Sequence, residues 1–542
     1  MMPPRVVFLA VDTQWVDPSG SYASFSYAVR KLEASLRSAP DLQHVETHII
    51  DLKSDDPEPF FEAIQALRPT VVAASVYIWS VKTFLEVARR VKQWDPSIRV
   101  IFGGPAARAS LFNLAPYRPL VRFVDVIAVG EGEEVIRALI RDPSGQATES
   151  IPGLLIPHPL GLRATAPAER PALDSYASPY QIGTAPPGHT GFIETFRGCP
   201  ISCAFCQWGE QRSDRVYSAE YLASHLRGLV ASKAQNVFFT DAAFNLSARA
   251  FRNLMEAERQ VKALAHFAIH GHLYPTHVNE MHLEFLDRVG KAQVSIGVQT
   301  FDPEVLRKLG RPFDLDRFER VLRELRGRIA IDVELIYGLP GDNPDSFRRT
   351  FEKTHELADT VRVFFPMVLP DALLERAEEY KIRFDPETFM IEECEGWSSR
   401  ELREGWEQLA RSTEGLPNRM VSPTWFGFMT RSGLDRSARM EAPPEITAER
   451  ALPLAERLRV RARGWTLASA RQEPNRLLLE LGSPAGRVTL EVSAPREDAR
   501  CFARHGGLAY SYRGSIDRAV AAVLGRVIEI IHPETERLMA GG

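Results

Sequence analysis

Short, unbroken apolar runs alternate along this chain with stretches in which apolar residues return every three or four positions. Over residues 1–145 the runs fall at 6–11, 48–52, 70–76, 100–102 and 124–129, and the helical periodicity at 22–37, 60–67 and 81–93. Runs without polar alternation belong to parallel strands covered on both faces, because such strands have no solvent-facing side. The pattern therefore predicts an α/β protein that opens with a Rossmann-like (flavodoxin-like) parallel sheet domain.

Residues 146–190 break the rhythm. Pro152, Pro157, Pro159, Pro167, Pro171, Pro179, Pro186 and Pro187 crowd a weakly periodic stretch, which predicts a linker between domains. From residue 191 the alternation returns with longer helices. Strands are expected at 192–196, 236–240, 267–273, 293–298, 329–335 and 361–365. Six strand–helix units over 191–375 predict an open, partial (β/α)6 TIM barrel, since a closed one takes eight. Residues 376–440 read as a helical and loop extension. Residues 441–542 read as a small C-terminal α+β domain, with a hairpin of 476–481 and 487–492 and a helix at 515–531.

Composition narrows the setting. The 542 residues are 44% hydrophobic, enough for several full cores, and the net charge of −4 is spread along the chain. Nothing in that charge calls for a nucleic-acid partner. No apolar run reaches the ~20 residues that cross a bilayer, and residues 1–15 lack the basic n-region and cleavage site of a signal peptide. A cytoplasmic chain without a membrane partner is expected.

Cysteine usage is the sharpest chemical signal. Cys199, Cys203 and Cys206 fall within eight residues, whereas Cys394 and Cys501 stand alone. A disulfide framework spreads its cysteines and is rare in a large cytosolic protein. The trio follows the first expected barrel strand, so it lies on the face where barrel enzymes carry their chemistry. Thiolates suit zinc or iron–sulfur clusters. A structural zinc site needs four ligands, and no second cysteine pair supplies the fourth. Three thiolates suffice for a cubane whose remaining iron stays open.

The CxxxCxxC spacing, with Phe205 just before the last cysteine, resembles the radical S-adenosylmethionine (SAM) superfamily. The resemblance implies that Cys199, Cys203 and Cys206 hold a [4Fe–4S] cluster whose open iron takes SAM. Later strand ends agree with it. The segment from Ser295 to Phe301 resembles the fourth-strand motif, placing Gln299 at SAM, and Arg311 is a candidate for its carboxylate. The run from Asp332 to Gly341, with Glu334 inside it, resembles the fifth-strand motif, whose backbone, opened by Gly338, would flank the adenine. The segment from Phe364 to Pro370 resembles the sixth, except that Pro370-Asp371-Ala372 replaces the usual Pro-Gly-Thr. The second strand lacks the common Gly-Gly-Glu and has Asp241 and Asn245 instead. Asp241 is a candidate for SAM or substrate, or else a helix N-cap. On the third strand His270, His272 and Tyr274 alternate, which predicts that all three face one side. Asp241, His272 and Tyr274 are the candidate catalytic residues.

The N-terminal sheet ends in Ser75-Val76-Tyr77-Ile78-Trp79, Gly103-Gly104-Pro105 and Gly130-Glu131-Gly132-Glu133. Ligands of open α/β sheets lie at such carboxyl ends. Placed before a radical SAM core, these segments resemble the B12-binding domain of cobalamin-dependent radical SAM enzymes. The resemblance implies that Ser75, Tyr77, Trp79, Gly103, Gly104, Gly130 and Glu131 bind cobalamin. No His precedes His44, so cobalamin without a protein His ligand is expected, with Tyr77 or Trp79 toward its lower face. Core packing is the plainer use of Trp79.

The resemblance implies a methyltransferase: a methyl group moves from SAM, via methylcobalamin, to an unactivated carbon or phosphorus of a natural-product-type small-molecule or peptide substrate. A flavodoxin- or ferredoxin-type protein would donate electrons. Two rival readings are a B12 radical SAM enzyme that cyclises, rearranges or oxidises without methyl transfer, and a cobalamin- or redox-sensing binding protein. Trp425, Phe426 and Phe428 are a candidate cavity lining or core cluster.

Overall fold

The computed structural model describes residues 4–11, 25–52, 56–210, 215–325, 327–358, 360–412, 420–421, 427–431 and five strand segments between 466 and 514. The N-terminal domain runs β1 (Arg5–Val11), α1 (Tyr27–Ser38), β2 (Glu46–Leu52), α2 (Pro57–Leu67), β3 (Val71–Ser75), α3 (Val81–Trp94), β4 (Arg99–Gly103), α4 (Ala109–Phe112), β5 (Val126–Ala128) and α5 (Gly132–Arg141). The five strands are parallel in the order β2-β1-β3-β4-β5. Strands β1 and β3 are buried almost throughout, which is why their sequences carry no alternation.

The predicted linker is partly sheet. Strands β6 (Leu154–His158) and β7 (Gly161–Ala164) form a hairpin that extends the N-terminal sheet antiparallel from β5. Pro157 sits in that hairpin at the sheet margin, where a missing N–H is tolerated, so the proline count misled the expectation. Further on, buried His225 ties Ser178 of the linker (2.9 Å) to the Phe192 carbonyl (2.8 Å).

The second sheet holds the six expected strands: β8 (Gly191–Ile193), β11 (Val237–Phe239), β12 (Ala268–His272), β13 (Lys291–Gln299), β14 (Ala330–Ile336) and β15 (Thr360–Phe364). They are parallel and neighbours in chain order. Between β8 and β11 a two-stranded ribbon forms from β9 (Phe196–Arg197) and β10 (Arg215–Val216). The main covering helices are α6 (Ala219–Ala231), α7 (Ala248–Val261), α8 (Glu280–Arg288), α9 (Pro303–Lys308), α10 (Leu315–Leu325) and α11 (Pro344–Leu357). Ser218, Ser247, Asn279, Asp302 and Asn343 cap five of these helices with their side chains, satisfying backbone N–H groups that have no partner within the helix.

The barrel is open, as predicted, with one addition in the extension. After the short pair β16 (Arg383–Phe384) and β17 (Ile391–Glu393) and helix α12 (Ser399–Ser412), β19 (Gly427–Arg431) pairs antiparallel with β15, and β18 (Met420–Val421) pairs antiparallel with β19. The C-terminal segments β20 (Thr466–Glu473), β21 (Arg476–Ser483), β22 (Gly486–Ser493), β23 (Ala499–His505) and β24 (Leu508–Gly514) form an antiparallel meander that contains the predicted hairpin. Trp425, Phe426 and the helix expected at 515–531 lie outside the described residues, as does the side chain of Phe428.

Candidate active site

The cysteine loop leaves β9 and packs against the turn after α9. Ala204 donates its N–H to the Leu309 carbonyl at 2.8 Å. Gly310, at φ +65°, could not carry a Cβ, which would lie 2.9 Å from the Ser202 carbonyl oxygen. Cys199 and Cys203 are buried and Cys206 half-buried. Burial pushes the Cys199 thiol up and the Cys206 thiol to about 11. Among the described residues no three Cys, His, Asp or Glu side chains close around a single ion, as a mononuclear zinc site would require. Phe205 packs on the barrel core.

Asp241 has a role that the sequence did not disclose. Its carboxylate accepts the N–H groups of Thr195 (2.8 Å) and Phe196 (3.2 Å) and the Thr195 hydroxyl (2.9 Å). It therefore clamps the strand that launches the cysteine loop. It is neither a catalytic group facing the lumen nor a helix cap, since Ser247 caps α7. Asn245 likewise grips the backbone of Tyr274, donating to its carbonyl and accepting its N–H, both at 2.8 Å.

The three third-strand residues part company. β12 ends at His272, and Tyr274 turns inward, with its hydroxyl donated to the Pro312 carbonyl and its ring 5.2 Å beneath the Arg311 guanidinium. Tyr274 thus supports Arg311 rather than acting as a catalytic hydroxyl. His270 and His272 are half-buried in alternation with buried Ile269 and Gly271. His272 lies 3.5 Å from Glu334 of β14. Burial would lower the His272 pKa, but the Glu334 carboxylate outweighs it and holds the ring above its ordinary value. Beside this pair, Asp332 accepts from Gln293 (2.7 Å) and Arg362 (2.6 Å). Sequence reading missed Gln293, Asp332 and Arg362 as partners. The signal was polar residues at every second position of β13, β14 and β15, but only strand register brings them level.

At the barrel mouth Arg311 places Nη1 3.5 Å from Cys203 Sγ and donates Nη2 to the Gly297 carbonyl. Gln299 sits at a register shift between β13 and β14 with φ +75°, and its Oε1 is buried without a hydrogen-bond partner. The Nε of Arg311 is likewise unpartnered. An uncommon backbone conformation and two orphaned polar atoms side by side are what a binding site for a polar ligand leaves when described without it. Gly338 faces elsewhere: a Cβ there would meet Leu402 of α12 at 2.6 Å, so it serves packing, not approach to adenine.

In the N-terminal domain, Tyr77 and Trp79 stack at 4.4 Å and 16° just beyond β3. Ser75 is buried at the strand end beside them. Gly104, at φ +103°, lies so close to Val76 that a Cβ would fall 2.7 Å from its carbonyl oxygen. Gly103 has ordinary contacts, and Gly130 faces open space. Glu131 has another use than cofactor binding. It accepts from Tyr176 (2.9 Å) and pairs with Arg197 (3.0 Å) and Arg215. With Lys31, Glu133 and Glu194 these residues form a largely buried ion cluster between the two domains.

The altered sixth-strand turn has a left-handed residue at its centre. Asp371 adopts φ +58°, the left-handed conformation a glycine would supply, and pairs with Arg108 of the N-terminal domain. Aspartate tolerates that conformation better than most residues.

Comparison with known proteins matches this arrangement. The family model described as the radical SAM superfamily covers residues 193–354, and that of the B12-binding domain covers residues 28–140. One segment of the chain thus matches the radical SAM superfamily and another, before it, matches the B12-binding domain. The chain is 29% identical over 361 residues to a 2-(S-pantetheinyl)-carbapenam-3-carboxylate methyltransferase of Streptantibioticus cattleyicolor, covering 60% of this chain and 51% of the relative. It is 27% identical, with the same coverage, to the cobalamin-dependent radical SAM methyltransferase TokK of Streptomyces tokunonensis. The chain spans about half the length of these curated relatives. Its fold is similar to that of the radical SAM methyltransferase TsrM from Kitasatospora setae with cobalamin and a [4Fe–4S] cluster bound. That match has a TM-score of 0.58 at 20% identity over 76% of this chain and 91% of the other.

The residues fit the cofactors these domains imply. Buried thiols that resist ionisation need a compensating cation, and metal ligation supplies one. Gln299 and Arg311 offer the unmatched acceptor and donor that SAM's polar groups require. The open edge at Gly130 and the Tyr77–Trp79 stack offer a flat, apolar platform suited to a corrin.

Proposed function

We propose that this chain is a cobalamin-dependent radical SAM methyltransferase acting, in the cytoplasm, on an unactivated carbon or phosphorus of a natural-product-type small molecule or peptide. A flavodoxin- or ferredoxin-type donor would serve it. The observation that carries this reading is the meeting of the cysteine loop with the carboxyl ends of the N-terminal sheet. Gln207, next to Cys206, bonds the carbonyl of Pro105, next to the Gly103–Gly104 pair. No helix among the described residues is long and apolar enough to cross a membrane.

When bound, the cluster supplies the electron that cleaves SAM, and the corrin carries the methyl group. The chain's own residues do the rest. Cys199, Cys203 and Cys206 hold the cluster, and Gln299 and Arg311 orient SAM. Ser75, Tyr77, Trp79, Gly103, Gly104 and Gly130 receive the corrin. His272, whose pKa Glu334 holds above its ordinary value, has a side chain 40% exposed, from which it would orient an acceptor group of the substrate.

The test is anaerobic reconstitution with iron, sulfide, hydroxocobalamin and SAM, followed by mass analysis of candidate substrates. A product heavier by one methyl group is expected. Altered products without added methyl would replace this reading with radical rearrangement or oxidation. Failure to cleave SAM would remove both.

A further inference from the structure

The cysteine loop is fastened at both ends by side chains that reach into the N-terminal domain. Before the first cysteine stands Arg197. Its Nε meets Glu194 at 2.9 Å, while Nη1 meets Glu131 at 3.0 Å and Glu133 at 3.3 Å, and its guanidinium lies 5.0 Å over the Tyr176 ring. Glu131 and Glu133 stand at the start of α5, directly after Gly130. After the last cysteine stands Gln207. Its Nε2 donates to the Pro105 carbonyl at 3.1 Å and to the Pro370 carbonyl at 2.9 Å. An amide nitrogen has two hydrogens, and here one goes to each domain. Asp371, next to Pro370, meets Arg108 across the same seam.

These contacts involve neither the cysteine thiols nor the barrel's strand ladder. Both anchors end on backbone or carboxylates at the edge that would receive the corrin. We infer that Arg197 and Gln207 are positioning residues through which the N-terminal domain sets the place of the cysteine loop, and so the spacing between corrin and cluster. The inference rests on the proposed reading in that both cofactors bind.

Gln207→Glu tests it with almost no change of shape. The carboxylate lacks both hydrogens and faces two carbonyl oxygens. Arg197→Lys is the companion variant, because a single ammonium cannot reproduce the guanidinium fork. Two measurements on the full chain decide. In the apo protein, hydrogen exchange of the amides at 199–206 is expected to quicken about tenfold in Gln207→Glu, the size set by losing two amide–carbonyl bonds. In the chain loaded with iron, sulfide and hydroxocobalamin and then reduced, electron paramagnetic resonance reads the dipolar coupling between the reduced cluster and Co(II). That coupling is expected to weaken in Gln207→Glu, with iron and cobalamin contents unchanged. Unaltered exchange and unaltered coupling in Gln207→Glu overturn the inference, whatever Arg197→Lys does. A wild-type chain that takes up no cluster or no cobalamin sinks the proposed function instead, and the apo exchange still decides this point.

Discussion

The carboxylate of Asp241 takes both the N–H and the hydroxyl of Thr195, at 2.8 and 2.9 Å, four residues before Cys199. A residue that looks like a catalytic acid in the sequence is, in the fold, the bracket of the cluster loop. Above about pH 7, where the carboxyl is ionised, Asp241→Asn replaces one acceptor oxygen with a donor facing other donors. It should cost about 2 kcal/mol, the scale of a buried group left unsatisfied, and lower iron uptake on reconstitution.

The same residue makes a pH prediction. Burial pushes Asp241 up to about 7, against an ordinary value of 3.8. The folded chain therefore binds this proton more tightly than the unfolded chain between those values. Its contribution to stability is present below about pH 4, declines as pH rises toward 7 and is flat beyond. Denaturant unfolding of wild type and Asp241→Asn across pH 4–8 should show wild type losing ground to the variant over that window. Parallel curves would contradict it.

His225 predicts the opposite slope. Its buried ring is pushed down to about 4 from 6.5, chiefly by burial. Stability from the neutral ring is present above about pH 6.5 and lost as pH falls toward 4, by roughly 3 kcal/mol at most. Because His225 joins Ser178 to the Phe192 carbonyl, acid should first loosen the segment at 178–192. Limited proteolysis between pH 7 and 5 checks this, with His225→Gln as the insensitive control.

Asp371 should tolerate glycine but not a branched residue. Asp371→Gly relieves the left-handed backbone while losing a largely buried ion pair, so the two effects partly offset and the net change should stay within about 2 kcal/mol. Asp371→Val should cost about 2 kcal/mol from backbone strain. Unfolding midpoints of the two variants distinguish strain from charge as the determinant of this turn.

The Tyr77–Trp79 stack should matter for the corrin more than for the fold. Trp79→Ala is expected to weaken hydroxocobalamin binding about tenfold, the scale of one lost aromatic platform. Equilibrium dialysis against the wild type measures it, and an unchanged Kd would assign Trp79 to packing.

The apolar runs of the chain, read alone, determined its layers. Parallel strands buried on both faces must be written as unbroken apolar segments, so β1 and β3 were visible without a structure. The cysteine spacing marked the loop for the same kind of local reason: three thiolates must share one turn to share one cluster. What only the tertiary structure decided were partnerships between strands and between domains. Glu334 lies 62 positions from His272, and Glu131 lies 66 positions from Arg197. Neither pair has a local pattern to betray it, because register and docking are set by the whole hydrophobic core. That is why Asp241, Tyr274 and Glu131 read as ligand or catalytic groups in sequence. In the fold they are supports for the residues beside them.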